Sequence, residues 1–104
     1  MKYTVCITAP AHNDILQSAV YISNNLCNPN AADKLLSQIA EKLNSLADAP
    51  HRYAVVNDDF LAGLEIRMIK INNYDAFYRI NDAKHTVTVL RVLYEKRDWQ
   101  HILI

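Results

Sequence analysis

The chain has 104 residues, of which 51% are hydrophobic and 21% are charged, and its 11 Lys and Arg balance its 11 Asp and Glu. This composition predicts one folded domain spanning residues 1–104, because disorder requires low hydrophobicity and high net charge. The single glycine excludes Gly-rich phosphate-binding loops, which need several glycines close together. No apolar run approaches the ~20 residues that span a bilayer. The absence of a recognisable signal peptide and the presence of only two cysteines predict a cytoplasmic protein with reduced thiols and no membrane association.

The first half of the sequence begins with a strand and a helix. Residues 2–8 alternate between two faces and include several β-branched side chains, which predicts a strand. Thr8 then precedes Pro10, a helix cap followed by a first-turn proline, so a helix is expected over 10–27. Its apolar stripe consists of Ile15, Leu16, Ala19, Ile22 and Leu26, with Ser23 on the same face.

A second helix follows after a short interruption. Asn28 is a suitable cap and Pro29 a suitable first residue, and the pattern predicts a helix over about 29–47. Its apolar stripe consists of Ala32, Leu35, Leu36, Ile39, Ala40, Leu43, Leu46 and Ala47. Two helices joined by so few residues are expected to pack as an antiparallel hairpin.

The second half of the sequence has the alternation typical of strands. Residues 51–63 lack a clear period and predict a loop with one short strand at 53–56. Short turns at Asn72-Asn73 and Asp82-Ala83-Lys84 then separate three predicted strands, which cover 64–71, 74–81 and 86–94. Residues 95–104 are expected to form a short helix or an extended cover on the sheet. The order predicts an α+β domain in which a helical hairpin lies on one face of a sheet built from the N-terminal strand and a three- to four-stranded antiparallel meander.

Two arginines lie on strand faces that are otherwise apolar. Arg67 shares its predicted face with Ile69 and Ile71, and Arg91 shares its face with Val87, Val89 and Leu93. An arginine in such a place is costly unless it is paired or opens on a cleft. Two interpretations stay open: an ion pair or a position at the sheet rim, the candidate acids being Glu65, Asp75 and Glu95, or a functional site.

The end of the last predicted strand concentrates aromatic and basic groups. Tyr94, Arg97 and Trp99 stand close together in sequence there. Tyrosine with arginine can transfer protons and stabilise phosphate, although tyrosine is a poor base unless its pKa is perturbed. The alternative is a C-terminal cap with Trp99 packed on the core. The four histidines and two cysteines lack the spacing of a metal site, so neither a metal nor another cofactor is expected.

The order of these features resembles the RelE/ParE superfamily, the toxins of bacterial type II toxin–antitoxin modules, also called plasmid stabilisation proteins. The resemblance covers essentially the whole chain. It rests on Pro10 and the helix after it, Asn28-Pro29 with Ala31-Ala32, Leu46, Pro50, Arg67, Phe77-Tyr78-Arg79-Ile80, Val89-Leu90-Arg91-Val92-Leu93-Tyr94 and Arg97-Asp98-Trp99.

The resemblance implies a growth-arresting toxin that is neutralised by an antitoxin encoded by an adjacent gene, in a toxin–antitoxin hetero-oligomer. It implies one of two targets. RelE-like members are mRNA interferases, metal-independent endoribonucleases that act on the ribosome, and ParE-like members are inhibitors that poison DNA gyrase. For a nuclease the catalytic residues would be Arg67, Arg91, Tyr94 and Arg97. For binding to the antitoxin or the target, the resemblance points to Arg67, Arg79, Arg91 and Trp99.

The sequence also departs from the nuclease members of the superfamily. Leu93 stands where the histidine-using nucleases carry histidine, and residues 52–59 lack the lysine cluster of RelE. The formal net charge of zero is unlike that of the basic ribosome-binding members. These departures favour gyrase poisoning, with ribosome-dependent mRNA cleavage as the alternative and a member that has lost toxicity as a third possibility.

Overall fold

The computed structural model describes residues 2–56 and 62–94. They form a four-stranded sheet with two helices on one face, as the α+β prediction expected. The helices and strands, in chain order, are β1 (Thr4–Ile7), α1 (Ala9–Val20), a π-helical segment (Tyr21–Asn25), α2 (Pro29–Ser45), a 3₁₀ turn (Pro50–Arg52), β2 (Arg67–Ile71), β3 (Tyr74–Asn81) and β4 (Thr86–Tyr94).

The sheet combines one parallel pair with an antiparallel meander. Its strand order is β1-β4-β3-β2, so β1 and β2 are the outer strands. The meander β2-β3-β4 is antiparallel, as its short connections require. β1 pairs in parallel with the first half of β4, through the register Thr4↔Thr86 to Ile7↔Val89. None of the helices within residues 2–56 and 62–94 combines the length and the hydrophobicity that a transmembrane span requires.

Both helices begin where the sequence predicted. The Thr8 hydroxyl accepts a hydrogen bond from the Ala11 N–H at 3.2 Å, and it donates one to the Leu90 carbonyl at 3.0 Å. Thr8 therefore caps α1 and also ties that helix to β4. The Asn28 side-chain oxygen caps α2 by accepting from the Ala31 N–H at 3.2 Å. These caps satisfy backbone donors that a helix cannot pair internally.

Replacing Thr8 by alanine tests this double role. We expect Thr8→Ala to lower the free energy of unfolding by about 1–2 kcal/mol, because it removes the cap and leaves the Leu90 carbonyl without its donor. Urea denaturation of the purified chain measures the change. Thr8→Ser keeps the hydroxyl and serves as the matched control. Equal losses in the two variants would show that the hydroxyl contributes nothing.

Three predicted strands are shorter than the sequence pattern suggested, and the first of them, β1, covers Thr4–Ile7 rather than 2–8. β2 begins at Arg67 rather than at residue 64, because Glu65 adopts a positive φ of 59°. Glu65 lies in a turn in which its own N–H donates to the Ala62 carbonyl. A residue in that left-handed conformation interrupts an extended strand. The short strand predicted at 53–56 is reduced to a single bridge between Val55 and Arg67.

A β-bulge in β4 changes which of its side chains lie on each face of the sheet, compared with a strand that alternates regularly. Tyr78 pairs with Val89 and Phe77 with Arg91, so Leu90 is an extra residue on β4. An extra residue shifts the alternation of faces in the strand. The prediction that Leu93 shares a face with Val87 and Val89 is therefore wrong.

Two apolar clusters result, one on each face of the sheet. The cluster beneath the helices joins Leu35, Ile39, Leu43 and Leu46 of the helical region to Ile69, Ile71, Ala76, Tyr78, Val87, Val89 and Val92 of the sheet. The cluster on the other face consists of Val56, Ile66, Phe77 and Leu93, with Met68 and Leu90 packed against it.

Candidate functional site

Arg91 is held by a carboxylate of helix α1. Its Nε donates to Asp14 Oδ2 at 2.7 Å and a terminal nitrogen donates to Asp14 Oδ1 at 2.8 Å, which is the parallel two-bond geometry that makes such pairs strong. The side chain of Asp14 is only 10% exposed and that of Arg91 is 27% exposed. The hydrogen bonds that Arg91 donates to Asp14 raise the pKa of Arg91 above its ordinary value, so the guanidinium stays charged.

The same carboxylate also binds the backbone of β4. The Val92 N–H donates to Asp14 Oδ2 at 3.1 Å, so one side chain joins α1 to the strand at two points. Glu65, Asp75 and Glu95 were the sequence candidates for an ion-pair partner. For Arg91 the first two are wrong, and Glu95 lies outside the described residues. The ion-pair interpretation itself is confirmed for Arg91, although its partner is 77 residues away along the chain.

Arg67 binds backbone carbonyls rather than an acid. Its Nη1 donates to the Tyr53 carbonyl at 2.6 Å and lies 3.4 Å from the His51 carbonyl. Among the described residues, no carboxylate forms a salt bridge with it. The neighbouring Tyr78 hydroxyl donates to the Pro50 carbonyl at 2.7 Å. Arg67 and Tyr78 therefore fasten the 3₁₀ turn and the segment after it to the sheet.

Tyr78 is a buried tyrosine that the sequence analysis placed in a strand and in the family resemblance, but without a role of its own. Its side chain is fully buried, and burial raises its pKa to about 12, with the Arg67 charge partly opposing the rise. A hydroxyl that is so hard to deprotonate and is already bonded to a carbonyl is not a general base at neutral pH. Its role is to hold the 3₁₀ turn.

Tyr94 lies at the far end of β4, in a groove between that strand and helix α1. The groove has a volume of about 730 Å³, and its walls include Asp14, Tyr21, Ile22, Tyr74 and Tyr94. Tyr94 is 38% exposed, and its ring meets the Tyr74 ring edge-on at a centroid distance of 5.6 Å. Among the described residues that line the groove, Asp14 alone is charged, and its charge is compensated by Arg91. These described walls are therefore aromatic and polar without net charge.

The helical wall of the groove continues into an exposed apolar surface. The sequence placed Leu16 and Leu26 in the buried stripe of the first helix, and this part of the prediction is wrong, since they are 47% and 58% exposed. Val20 and Tyr21 are also more than half exposed. Only small residues of α1, Ala11 and Ala19, are fully covered. An exposed apolar set of this kind on a small domain is typical of a protein-binding surface.

The structure separates Arg67 from Tyr94, two of the predicted catalytic residues. Arg67 pairs with Tyr78 and Tyr94 pairs with Tyr74, so the two lie four residues apart along the sheet, a separation of about 13 Å before the spacing between strands is added. Arg91 pairs with Phe77 between them, and its charge is compensated by Asp14.

Arg79 is exposed on β3, on the face opposite Tyr78. Arg97 and Trp99 lie outside the described residues.

A polar cluster at the other end of the sheet had no sequence signal. The Tyr3 hydroxyl donates to Asp82 Oδ1 at 2.6 Å, and His51 Nε2 lies 3.1 Å from the same oxygen. The hydrogen bond from Tyr3, together with the one from His51, lowers the pKa of Asp82. These exposed contacts join β1, the 3₁₀ turn and the β3–β4 turn. Within residues 2–56 and 62–94, no three His, Cys, Asp or Glu side chains are placed to share a metal ion.

The fold is that of RelE/ParE toxins. The RelBE2 toxin–antitoxin complex from Mycobacterium tuberculosis aligns with a TM-score of 0.68 and 25% identity, over 90% of this chain and 99% of that chain. The chromosomal ParDE system from P. aeruginosa aligns with a TM-score of 0.73 and 17% identity, over 89% of this chain and 96% of that chain. A mutant of E. coli RelE in the free state aligns with a TM-score of 0.61 and 17% identity, over 98% of this chain and 93% of that chain.

The sequence assigns the chain to one family of these RelE/ParE toxins. The family described as the ParE toxin of the type II toxin–antitoxin system, parDE, matches residues 5–99. The chain therefore belongs to the ParE toxin family, within the RelE/ParE superfamily of type II toxins. Among curated proteins no match is found.

Proposed function

We propose that this toxin arrests growth by docking on DNA gyrase, and that a separate antitoxin neutralises it. The observation that carries the choice of target is the state of the two arginines at the superfamily's basic positions. Arg91 is neutralised by Asp14, and Arg67 is bonded to the carbonyls of the 3₁₀ region. Cleavage of RNA needs a proton acceptor and uncompensated positive charge at the phosphate.

The exposed surface of the chain suits a protein target. Aromatic residues beside a neutral, partly apolar groove are the side chains that dominate protein–protein binding energy. A phosphate backbone would instead be attracted by clustered Lys and Arg, and the formal net charge of this chain is zero. The toxin is proposed to act with no metal and no other cofactor.

The assemblies that share the fold support an antitoxin partner. The RelBE2 structure is a toxin–antitoxin complex, and the archaeal structure from Pyrococcus horikoshii is a RelE–RelB complex. These likenesses, together with the family match, support a cognate antitoxin for this chain, encoded by an adjacent gene.

Ribosome-dependent mRNA cleavage is the second candidate. Its support is the exposed Tyr94 at a groove and the 25% identity to the RelBE2 structure. For this activity Arg91 would have to exchange the Asp14 carboxylate for a phosphate. That exchange forfeits two charge-assisted hydrogen bonds, so the gyrase proposal is preferred.

Two assays run side by side distinguish the targets. We expect the purified chain to inhibit supercoiling by gyrase and to leave mRNA on purified ribosomes intact. Addition of the antitoxin should restore supercoiling, which controls for contaminating activities. Cleavage of ribosome-bound mRNA with unaffected supercoiling would contradict the gyrase proposal and establish the second candidate.

A further inference from the structure

The outer edge of strand β1 is one of the two open edges of the sheet. The strand order is β1-β4-β3-β2, so β1 has β4 on one side and no strand on the other within the described residues. The Thr4 N–H donates to the His85 carbonyl at 2.8 Å, so the backbone groups of Thr4 face β4. Because successive residues of a strand point these groups to opposite sides, Val5 and Ile7 direct theirs away from β4.

This edge is free between two covered ends. At one end the Tyr3 N–H, which also points outward, donates to the Ala47 carbonyl at 2.8 Å. At the other end β1 stops at Ile7, and the chain enters α1 at Ala9. Within residues 2–56 and 62–94, the outward N–H and C=O groups of Val5 and Ile7 have no hydrogen-bond partner. Such groups are available to bond another strand.

The side chains along the edge leave room for a neighbouring strand. Thr4 and Cys6 are exposed on the face of the sheet opposite the helices, since Val5 between them packs against the core beneath the helices. Ile7 is apolar but 44% exposed. None of residues 4–7 is charged, so a copy of the same strand meets no like charge here.

We infer that β1 pairs with β1 of a second copy of this chain, antiparallel about a twofold axis at Cys6, so that the sheet continues from one molecule into the other. In this register Val5 of each copy lies opposite Ile7 of the other. These are the residues whose backbone groups point outward, so both pairs exchange hydrogen bonds and four bonds cross the axis. The homodimer does not depend on the proposed target.

The two ends of the edge favour a copy of β1 over a longer strand. A longer strand would meet the segment at Ala47 on one side and the start of α1 on the other. In the twofold arrangement the position opposite Tyr3 belongs to Ala9 of the second copy, where that chain has already entered α1. The covered end of each edge therefore lies against a position that the strand of the other copy does not occupy.

The size of the interface sets the expected strength of the dimer. Three paired residues from each copy bury far less than the ~1,200 Å² of a stable protein–protein interface. The homodimer is therefore weak and exchanges rapidly with the monomer, and we expect its dissociation constant to lie between about 10 μM and 1 mM.

Disulfide trapping tests the register. Cys6 faces Cys6 of the second copy as a pair that exchanges no hydrogen bonds, with Cα atoms about 4.5 Å apart, which a disulfide can span. The two thiols lose two protons and two electrons, which added diamide accepts. We expect Cys27→Ser to form the covalent dimer and Cys6→Ser to form none, although both cysteines are exposed. Equal yields from the two variants, including none from either, would overturn the inference.

A pair of variants at Ile7 isolates the backbone bonds. Ile7→Pro deletes the outward N–H without breaking a bond to β4, whereas Ile7→Ala shortens the same side chain and keeps the N–H. Each copy loses one donor, so the dimer loses two of its four bonds. We expect a dissociation constant roughly 5- to 150-fold higher for Ile7→Pro than for Ile7→Ala.

Sedimentation equilibrium of the purified variants measures these constants, and circular dichroism checks that each variant is folded. Equal dissociation constants for the two variants would contradict pairing through the edge of β1. A wild-type chain that stays monomeric up to about 1 mM would do the same. If Ile7→Pro does not fold, the comparison of Cys6→Ser with Cys27→Ser decides the inference without it.

Discussion

Asp14→Ala is expected to destabilise the fold by about 2–4 kcal/mol, the largest effect of any polar substitution proposed for this chain. The change leaves the Arg91 guanidinium, which is mostly buried, without its carboxylate, and it also leaves the Val92 N–H without an acceptor. Urea denaturation gives the free energy of unfolding. Glu41→Ala, an exposed acid on α2, is the matched control and should change it by less than about 0.5 kcal/mol.

A double-mutant cycle measures how much of this loss belongs to the Asp14–Arg91 pair. Asp14→Ala and Arg91→Ala are combined, and their separate effects should exceed that of the double variant by about 1.5–3 kcal/mol, the range for hydrogen bonds to charged groups in contact. Strictly additive losses would mean that the two side chains do not interact in solution. Arg91 would then be free for phosphate, and the main support for gyrase over RNA would be lost.

The local signals in the sequence placed the strands and helix starts well. Alternation set the bounds of β3 and β4 as they stand in the structure, and Thr8 and Asn28 cap the two helices. Each of these features depends on residues that lie close together in the sequence, so a short stretch of chain is enough to predict it. The same is true of the predicted turn at Asn72, which adopts the positive φ that such turns need.

The ion-pair partner of Arg91 could not be predicted from local signals of this kind. Two arginines on apolar faces could be recognised as discordant, but the acid that neutralises one of them lies on α1, 77 residues earlier. Its position depends on how α1 crosses the end of β1 and on the extra residue Leu90 in β4. The sequence carries no local mark of that bulge. Nearby acids such as Glu65 were consequently favoured over Asp14.

The exposed side of the first helix shows the limit of periodicity in the same way. The stripe containing Leu16 and Leu26 predicted a helix in this region, yet a stripe does not specify how much of itself is covered. Here Ile15 and Ile22 pack against the core beside the buried Ala11 and Ala19, while Leu16 and Leu26 of the same stripe remain exposed. Only part of the predicted stripe therefore belongs to the core.

Of the proposed variants, Tyr94→Phe is expected to give the largest difference in activity between the two candidate mechanisms. If the chain docks on gyrase, we expect the variant to remain toxic, because the ring still packs against Tyr74 at 5.6 Å and only the hydroxyl is lost. A nuclease that used Tyr94 for proton transfer would lose about 10²–10⁴-fold in cleavage rate. Growth arrest after controlled induction measures toxicity, with Tyr74→Phe as the matched loss of a hydroxyl in the same groove.

The arginine variants complete this comparison. Arg91→Ala and Arg67→Ala should both reduce toxicity, the first by releasing α1 from β4 and the second by releasing the 3₁₀ turn, since each arginine holds part of the surface in place. Cleavage of ribosome-bound mRNA by the wild type that disappears in Tyr94→Phe would reject gyrase docking. Full toxicity in all three variants would place the effector surface elsewhere, and the helical hairpin, with Leu16 and Val20 exposed, would be the next surface to vary.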